Sequence, residues 1–142
     1  MRIIEKGILD LTVEEIRQCK SLSLRHNGLM SEDLRDWKEY ESGPHAKRTR
    51  RKTRIWLIKD NDDRLLAWAM CTPRYKLTGY DAQFYTRVSE RGKGYGSLLM
   101  QKVLEYTPNP NVFPHDRTSG DFFKKHRDTI RFAKSYREWI EN

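Results

Sequence analysis

Apolar and polar positions change period along this chain, and the changes divide it into elements. Arg2-Ile3-Ile4-Glu5 predicts a short first strand. Thr12-Val13-Glu14-Glu15 reads as a capping box, in which the threonine hydroxyl and the glutamate carboxylate satisfy each other's free backbone N–H groups. The helix it opens carries Val13, Ile16 and Cys19 at helical spacing and fades near His26-Asn27-Gly28. Ser31 caps a second helix with Leu34 and Trp37 on one face. Its first turn holds Glu32 and Asp33, the charge sign a helix N-terminus favours. Gly43-Pro44 ends it.

The period then shifts. Ile55 to Ile58 and Leu65 to Cys71 are short apolar runs joined by Asp60-Asn61-Asp62-Asp63, which predicts a β-hairpin. Ala82, Phe84, Thr86 and Val88 alternate with Gln83, Tyr85 and Arg87, the period of a strand. After a cluster of glycines, Tyr95, Leu98, Leu99, Val103 and Tyr106 mark an amphipathic helix, stopped by Pro108-Asn109-Pro110. Asn111 to Pro114 predicts another short strand, and Ser119 begins a short helix through Phe122 and Phe123. Near the end, Phe132, Ala133, Tyr136, Trp139 and Ile140 fall at helical spacing, while Ile130-Arg131-Phe132 equally starts a strand. With no repeat and no linker, residues 1–142 read as a single α+β domain with an atypical short region at 126–142.

The chain's 142 residues suffice for a real core, and 11% aromatic content argues against disorder. No apolar run approaches the ~20 residues that span a bilayer, and the first residues do not form a secretory signal. Cys19 and Cys71 stand far apart with no metal-ligand spacing. Together these features predict a cytoplasmic protein with reduced thiols, no membrane contact and no metal. The net charge is +8, and its location is informative. Between Ser42 and Lys59 stand Lys47, Arg48, Arg50, Arg51, Lys52, Arg54 and Lys59 with no acid among them. Without these seven, the chain has 21 basic against 20 acidic residues. Such a local excess marks either a site for an anionic partner or a solvated loop.

Val88 to Leu99 holds the strongest chemical signal. Glycines between a strand and a helix let the backbone turn tightly and aim N–H groups, with the helix N-terminus, at an anion. Arg91 and Lys93 add full charges to the same place. The spacing GxGxG fits neither the P-loop nor the dinucleotide fingerprint. Arg91-Gly92-Lys93-Gly94-Tyr95-Gly96 does resemble the acyl-CoA signature [Q/R]xxGx[G/A] of the GNAT superfamily of N-acetyltransferases. The predicted order β-α-α-β-β-β-loop-α-β-α matches that family over roughly residues 1 to 125.

The resemblance implies a GNAT-like mixed central sheet with helices on both faces and acetyl-CoA as co-substrate. Backbone amides of Arg91, Gly92, Lys93, Gly94, Tyr95, Gly96 and Ser97 would hold its pyrophosphate. Thr86, Arg87 and Val88 would run beside its pantetheine arm. The thioester would lie where the strand ending at Val88 splays from the parallel strand around Val112-Phe113, polarised by a nearby N–H. The basic segment would line the acceptor side, where Lys47, Arg48, Arg50 and Arg51 repel a cationic amine and attract an anionic macromolecule, nucleic acid or acidic protein. The chain departs from the family in three places. Only Ser89 and Glu90 separate Val88 from Arg91, and the usual tyrosine that protonates the departing thiolate falls on Phe123, with Asp116 and Ser119 at the two preceding motif positions. The 17 residues after Lys125 are a tight fit for the family's usual closing strand pair.

Proton-transfer candidates follow from position. Among Gln83, Tyr85 and Arg87, one face of the strand before the loop, only Tyr85 plausibly transfers a proton; it is equally suited to packing. His115 and Asp116, an adjacent imidazole–acid pair after the second splay strand, serve as base or thiolate acid, or form a surface turn. His126 is a weaker candidate, and Glu90 reads as a solvated charge. Cys71 lacks an activating partner, which argues for direct transfer without a covalent enzyme intermediate. Two alternatives remain at this level: a GNAT-fold enzyme that modifies nucleic acid by other chemistry, and a basic nucleic-acid-binding module without acetyltransferase activity.

Overall fold

A computed structural model describes residues 1–23, 52–73, 79–112, 117–126 and 128–132. The second helix expected from Ser31, and the tail beyond 132, lie outside these residues. A six-stranded sheet runs in sequence order: β1 (Arg2–Gly7), β2 (Arg54–Lys59), β3 (Leu65–Pro73), β4 (Tyr80–Thr86), β5 (Asn111–Val112) and β6 (Arg131–Phe132). The first four strands are antiparallel neighbours, while β4–β5 and β5–β6 pair in parallel. The sheet is therefore mixed.

The hairpin between β2 and β3 is built by its aspartates. Asp60 Oδ1 accepts the N–H groups of Asp62 and Arg64 at 2.9 and 3.0 Å, and Asp63 takes the left-handed conformation at φ 63°. Both strands are almost continuously buried, because helices cover both faces. Helix α1 (Val13–Ser23) lies over one face, where Ile8, Leu11 and Cys19 meet Ile55, Leu57, Trp68, Met70 and Tyr85. Helix α2 (Tyr95–Tyr106) lies over the other, with Leu99, Met100 and Val103 buried against Trp56, Ile58, Ala69 and Ala82. A short α3 (Arg117–Lys124) brings Phe123 to this second core.

The capping box forms as predicted: Thr12 N–H donates to Glu15 Oε1 at 2.9 Å, and Glu15 N–H donates to Thr12 Oγ1 at 3.1 Å. Three local expectations change, and one left open is decided. Val13, the first residue after the cap, points to solvent at 83% exposure, and Leu11 fills the core instead. The fourth strand stops at Thr86, because Val88 already belongs to a 3₁₀ turn closed by Glu90 N–H on Arg87 O. The short helix begins at Arg117, two residues before Ser119. Arg131 and Phe132 take the strand alternative, held by parallel pairing to β5.

Candidate functional site

Two parallel strands, β4 and β5, adjoin in this sheet. Among the described residues β5 pairs with β4 at Asp81–Asn111 and Ala82–Val112. Asn111 Nδ2 fastens this pairing by donating to Tyr80 O at 3.1 Å. From Gln83 to Thr86, no strand among the described residues runs along that edge. Backbone groups alternate sides along a strand. Arg87 N–H turns to β3, donating to Leu66 O at 2.8 Å, so the N–H and C=O groups of Phe84 and Thr86 turn the other way, toward the β5 side of the strand. Side chains alternate too: Phe84 joins the α2 core, whereas Tyr85 is buried on the α1 face.

Beyond the strand the chain forms an open cradle. Gly92 and Gly94 adopt φ 81° and 84°, a region that disfavours side chains. A Cβ built on either meets no atom of the described residues within 4 Å. Gly94 caps α2, its carbonyl accepting Leu98 N–H at 3.1 Å. The N–H groups of Tyr95, Gly96 and Ser97, in the first helical turn, have no carbonyl one turn back to bond. The positive end of the α2 dipole faces the same space. Gly96 serves packing instead, because a Cβ there would lie 3.2 Å from the Phe122 ring, and glycine lets α3 approach α2.

Charged neighbours of the cradle differ in availability. Arg91 is exposed. Lys93 Nζ bonds Glu90 Oε2 at 2.7 Å, and that hydrogen bond raises the lysine's pKa. Glu90 is therefore a paired group, contrary to its expected solvated role. Arg87 is engaged inside the protein: Nε and Nη2 both donate to Leu65 O, at 3.0 and 2.9 Å, and its carbonyl accepts Glu90 N–H. It ties the strand end to β3.

Phe123 is 3% exposed, its ring 5.8 Å from Phe84 and 5.3 Å from Phe122. Tyr85 is also 3% exposed and stacks on Trp68 at 4.8 Å. His126 packs on Phe122 at 5.1 Å, and burial lowers its pKa. His115, Asp116, Lys47, Arg48, Arg50 and Arg51 lie outside the described residues. Of the basic run, Lys59 is buried and bonds Glu15 at 3.2 Å, so this lysine serves the core. Burial raises both cysteine thiols, Cys71 to about 12, with Asp81 adding to its rise. Among the described residues no acid, histidine and cysteine cluster could hold a metal, and no helix is long and apolar enough to cross a membrane.

The acetyltransferase (GNAT) family model matches residues 13–126. This chain belongs to that family. The match covers the capped helix, the hairpin, the parallel pair β4 and β5, the glycine cradle and α3. The GNAT fold also recurs in solved structures. A protein assigned as a phosphinothricin N-acetyltransferase shares 16% identity and a TM-score of 0.57, over 88% of this chain and 81% of that one. An N-acetyltransferase from Staphylococcus aureus Mu50 shares 14% identity and a TM-score of 0.54, over 74% and 66%. At such identities the likeness is one of fold. No curated protein matches this GNAT chain in sequence.

Proposed function

We propose that this protein transfers the acetyl group of acetyl-CoA directly to an amine carried by an anionic macromolecule. The observation that carries the reading is the cradle itself: two left-handed glycines, Gly92 and Gly94, and the N-terminus of α2 directly after a strand that pairs in parallel with β5. An extended diphosphate fits there, where any Cβ would project. Acetyl-CoA supplies an activated thioester. The first-turn N–H groups of Tyr95, Gly96 and Ser97, with Arg91, Gly92, Lys93 and Gly94, hold the pyrophosphate. The backbone groups of Phe84 and Thr86 pair with the pantetheine amides as a neighbouring strand would. An N–H of this edge polarises the thioester carbonyl, where negative charge develops in the transition state. Thr86 and Val88 border the arm, and Arg87 fixes the strand end against β3.

The α2 core and the cradle occupy one side of the sheet, so the acceptor reaches the thioester from the α1 side. Tyr85 faces that side, and with His115 and Asp116 it forms the set proposed for proton transfer. A covalent cysteine route is disfavoured by both thiols being buried with raised pKa values. Phe123 fills the core and gives the departing thiolate no proton. Lys47, Arg48, Arg50 and Arg51 dock the acceptor's negative charge. The test is a thermal-shift titration with acetyl-CoA, followed by acetylation of tRNA, DNA and acidic peptides. Transfer to none of these, with good transfer to a polyamine, would refute the acceptor class.

A further inference from the structure

Phe122 and Phe123 are consecutive in α3 and go to different places. Phe123 fills the core, whereas the half-buried Phe122 ring reaches α2, its edge atoms 3.2 and 3.3 Å from where a Cβ of Gly96 would stand. Cα–Cβ bonds in a helix lean toward its N-terminus, so this ring lies beside the first turn of α2, at the cradle. His126 comes four residues after Phe122, the spacing that brings side chains together on one face. Its half-buried ring meets Phe122 edge to face, with the centroids 5.1 Å apart. A tight turn holds it there. His126 N–H donates to Phe123 O at 3.0 Å, and Thr129 N–H and Oγ1 both donate to His126 O at 2.9 Å. Burial, with the Lys125 charge adding to it, lowers the imidazole's pKa and keeps the ring mostly neutral at pH 7. Lys124 and Lys125 stand exposed beside it and favour a ligand that carries phosphate.

We propose that Phe122 and His126 form a shelf for the purine base of the coenzyme, and that the protein thereby prefers a thioester borne on a nucleotide to one borne on a bare phosphopantetheine arm. The proposal rests on the acetyl-transfer reading above. With the diphosphate in the cradle, the base is one ribose away from the first turn of α2. The ring packed against that turn is Phe122, and His126 extends it. Purines stack on aromatic side chains through their π-faces. A neutral imidazole also offers one donor and one acceptor to the edge of a base. A thioester on a phosphopantetheine-bearing carrier protein has no base, so the shelf gives it nothing. The cradle alone does not distinguish the two donors, because both carry phosphate at the end of the arm.

The experiment measures calorimetric affinities of the full chain for acetyl-CoA and for S-acetyl-4′-phosphopantetheine, which keeps the arm and one phosphate but has no base. His126→Leu keeps the packing on Phe122 without a ring. It should weaken acetyl-CoA by about fivefold or more and leave S-acetyl-4′-phosphopantetheine unchanged. His126→Phe keeps a ring and should hold acetyl-CoA within about twofold of wild type. Etheno-coenzyme A, whose base fluoresces, should be quenched on binding the wild type and much less on binding His126→Leu. Unaltered acetyl-CoA affinity in His126→Leu, an equal loss for both ligands, or a loss in His126→Phe as large as in His126→Leu would overturn the proposal. So would base fluorescence that does not respond to binding while acetyl-CoA still stabilises the wild type. Failure of acetyl-CoA to stabilise the wild type at all strikes the acetyl-transfer reading, and the shelf falls with it.

Discussion

Replacing Glu15 by glutamine tests how α1 is anchored to the sheet. The carboxylate is 5% exposed and accepts three hydrogen bonds, from Lys6 Nζ at 2.6 Å, Thr12 N–H at 2.9 Å and Lys59 Nζ at 3.2 Å. Burial raises its pKa, but the bonds from Lys6, Thr12 and Lys59 overcome that and hold it at about 2, below its ordinary 4.5. Glutamine keeps the cap and leaves Lys59 buried without its main counter-charge. Removing one partner of a buried pair costs about 3–5 kcal/mol. Asp63 Oδ1, 3.4 Å from Lys59 Nζ, compensates in part, so the low end applies. A loss of about 3 kcal/mol lowers Tm by roughly 6–12 °C in a domain of this size.

The pH dependence has a definite sign. A carboxyl whose folded pKa is depressed stabilises the fold above its unfolded value of 4.5, and that stabilisation fades as pH falls toward about 2. Urea unfolding at a series of pH values should therefore show the full gap between wild type and Glu15→Gln at pH 7, narrowing below pH 4.5. Adding Lys59→Met to the variant should recover most of the loss, since it removes the stranded charge. The reasoning fails if Glu15→Gln matches wild type at pH 7, or if the double variant is as unstable as the single one.

Other consequences concern the site and its surroundings. Gly94→Val imposes a side chain at φ 84° whose Cβ meets no atom of the described residues within 4 Å, so it should stay folded at a cost of about 1–2 kcal/mol and lose acetyl-CoA binding by calorimetry. Phe123→Ala should destabilise by about 3–5 kcal/mol, and any remaining folded enzyme should keep the pH profile of kcat, because no proton donor has been removed. Changing Arg48, Arg50 and Arg51 to alanine should flatten the plot of log tRNA affinity against log salt by roughly 3, with acetyl-CoA binding unaltered; an unchanged slope would make the basic run a solvated loop.

Much of the fold was readable because its signals are local. The capping box needs only Thr12 and Glu15, the hairpin only its aspartates, and the helix after the loop only its apolar stripe. The cradle was readable for the same reason, since positive φ is written in Gly92 and Gly94. What escaped the sequence depends on contacts between distant segments. Val13 carries helical spacing, yet its place one residue past the cap turns it outward. Lys59 belongs to a basic run by sequence and to a buried ion cluster by register with β1 and α1. Gly96 looks like a third cradle glycine, but its small size serves the Phe122 ring.

The central claim is that the cradle binds the diphosphate of acetyl-CoA, and calorimetric melting across an acetyl-CoA titration tests it most directly. Stabilisation should follow RT ln(1 + [L]/Kd), reaching about 2.7 kcal/mol at a hundredfold excess over Kd, roughly 5–10 °C. S-acetylpantetheine, which has the thioester arm without the pyrophosphate, should give little of this shift, and Gly94→Val should abolish it. A flat melting temperature with acetyl-CoA at millimolar concentration, or an equal shift from S-acetylpantetheine, would contradict the account.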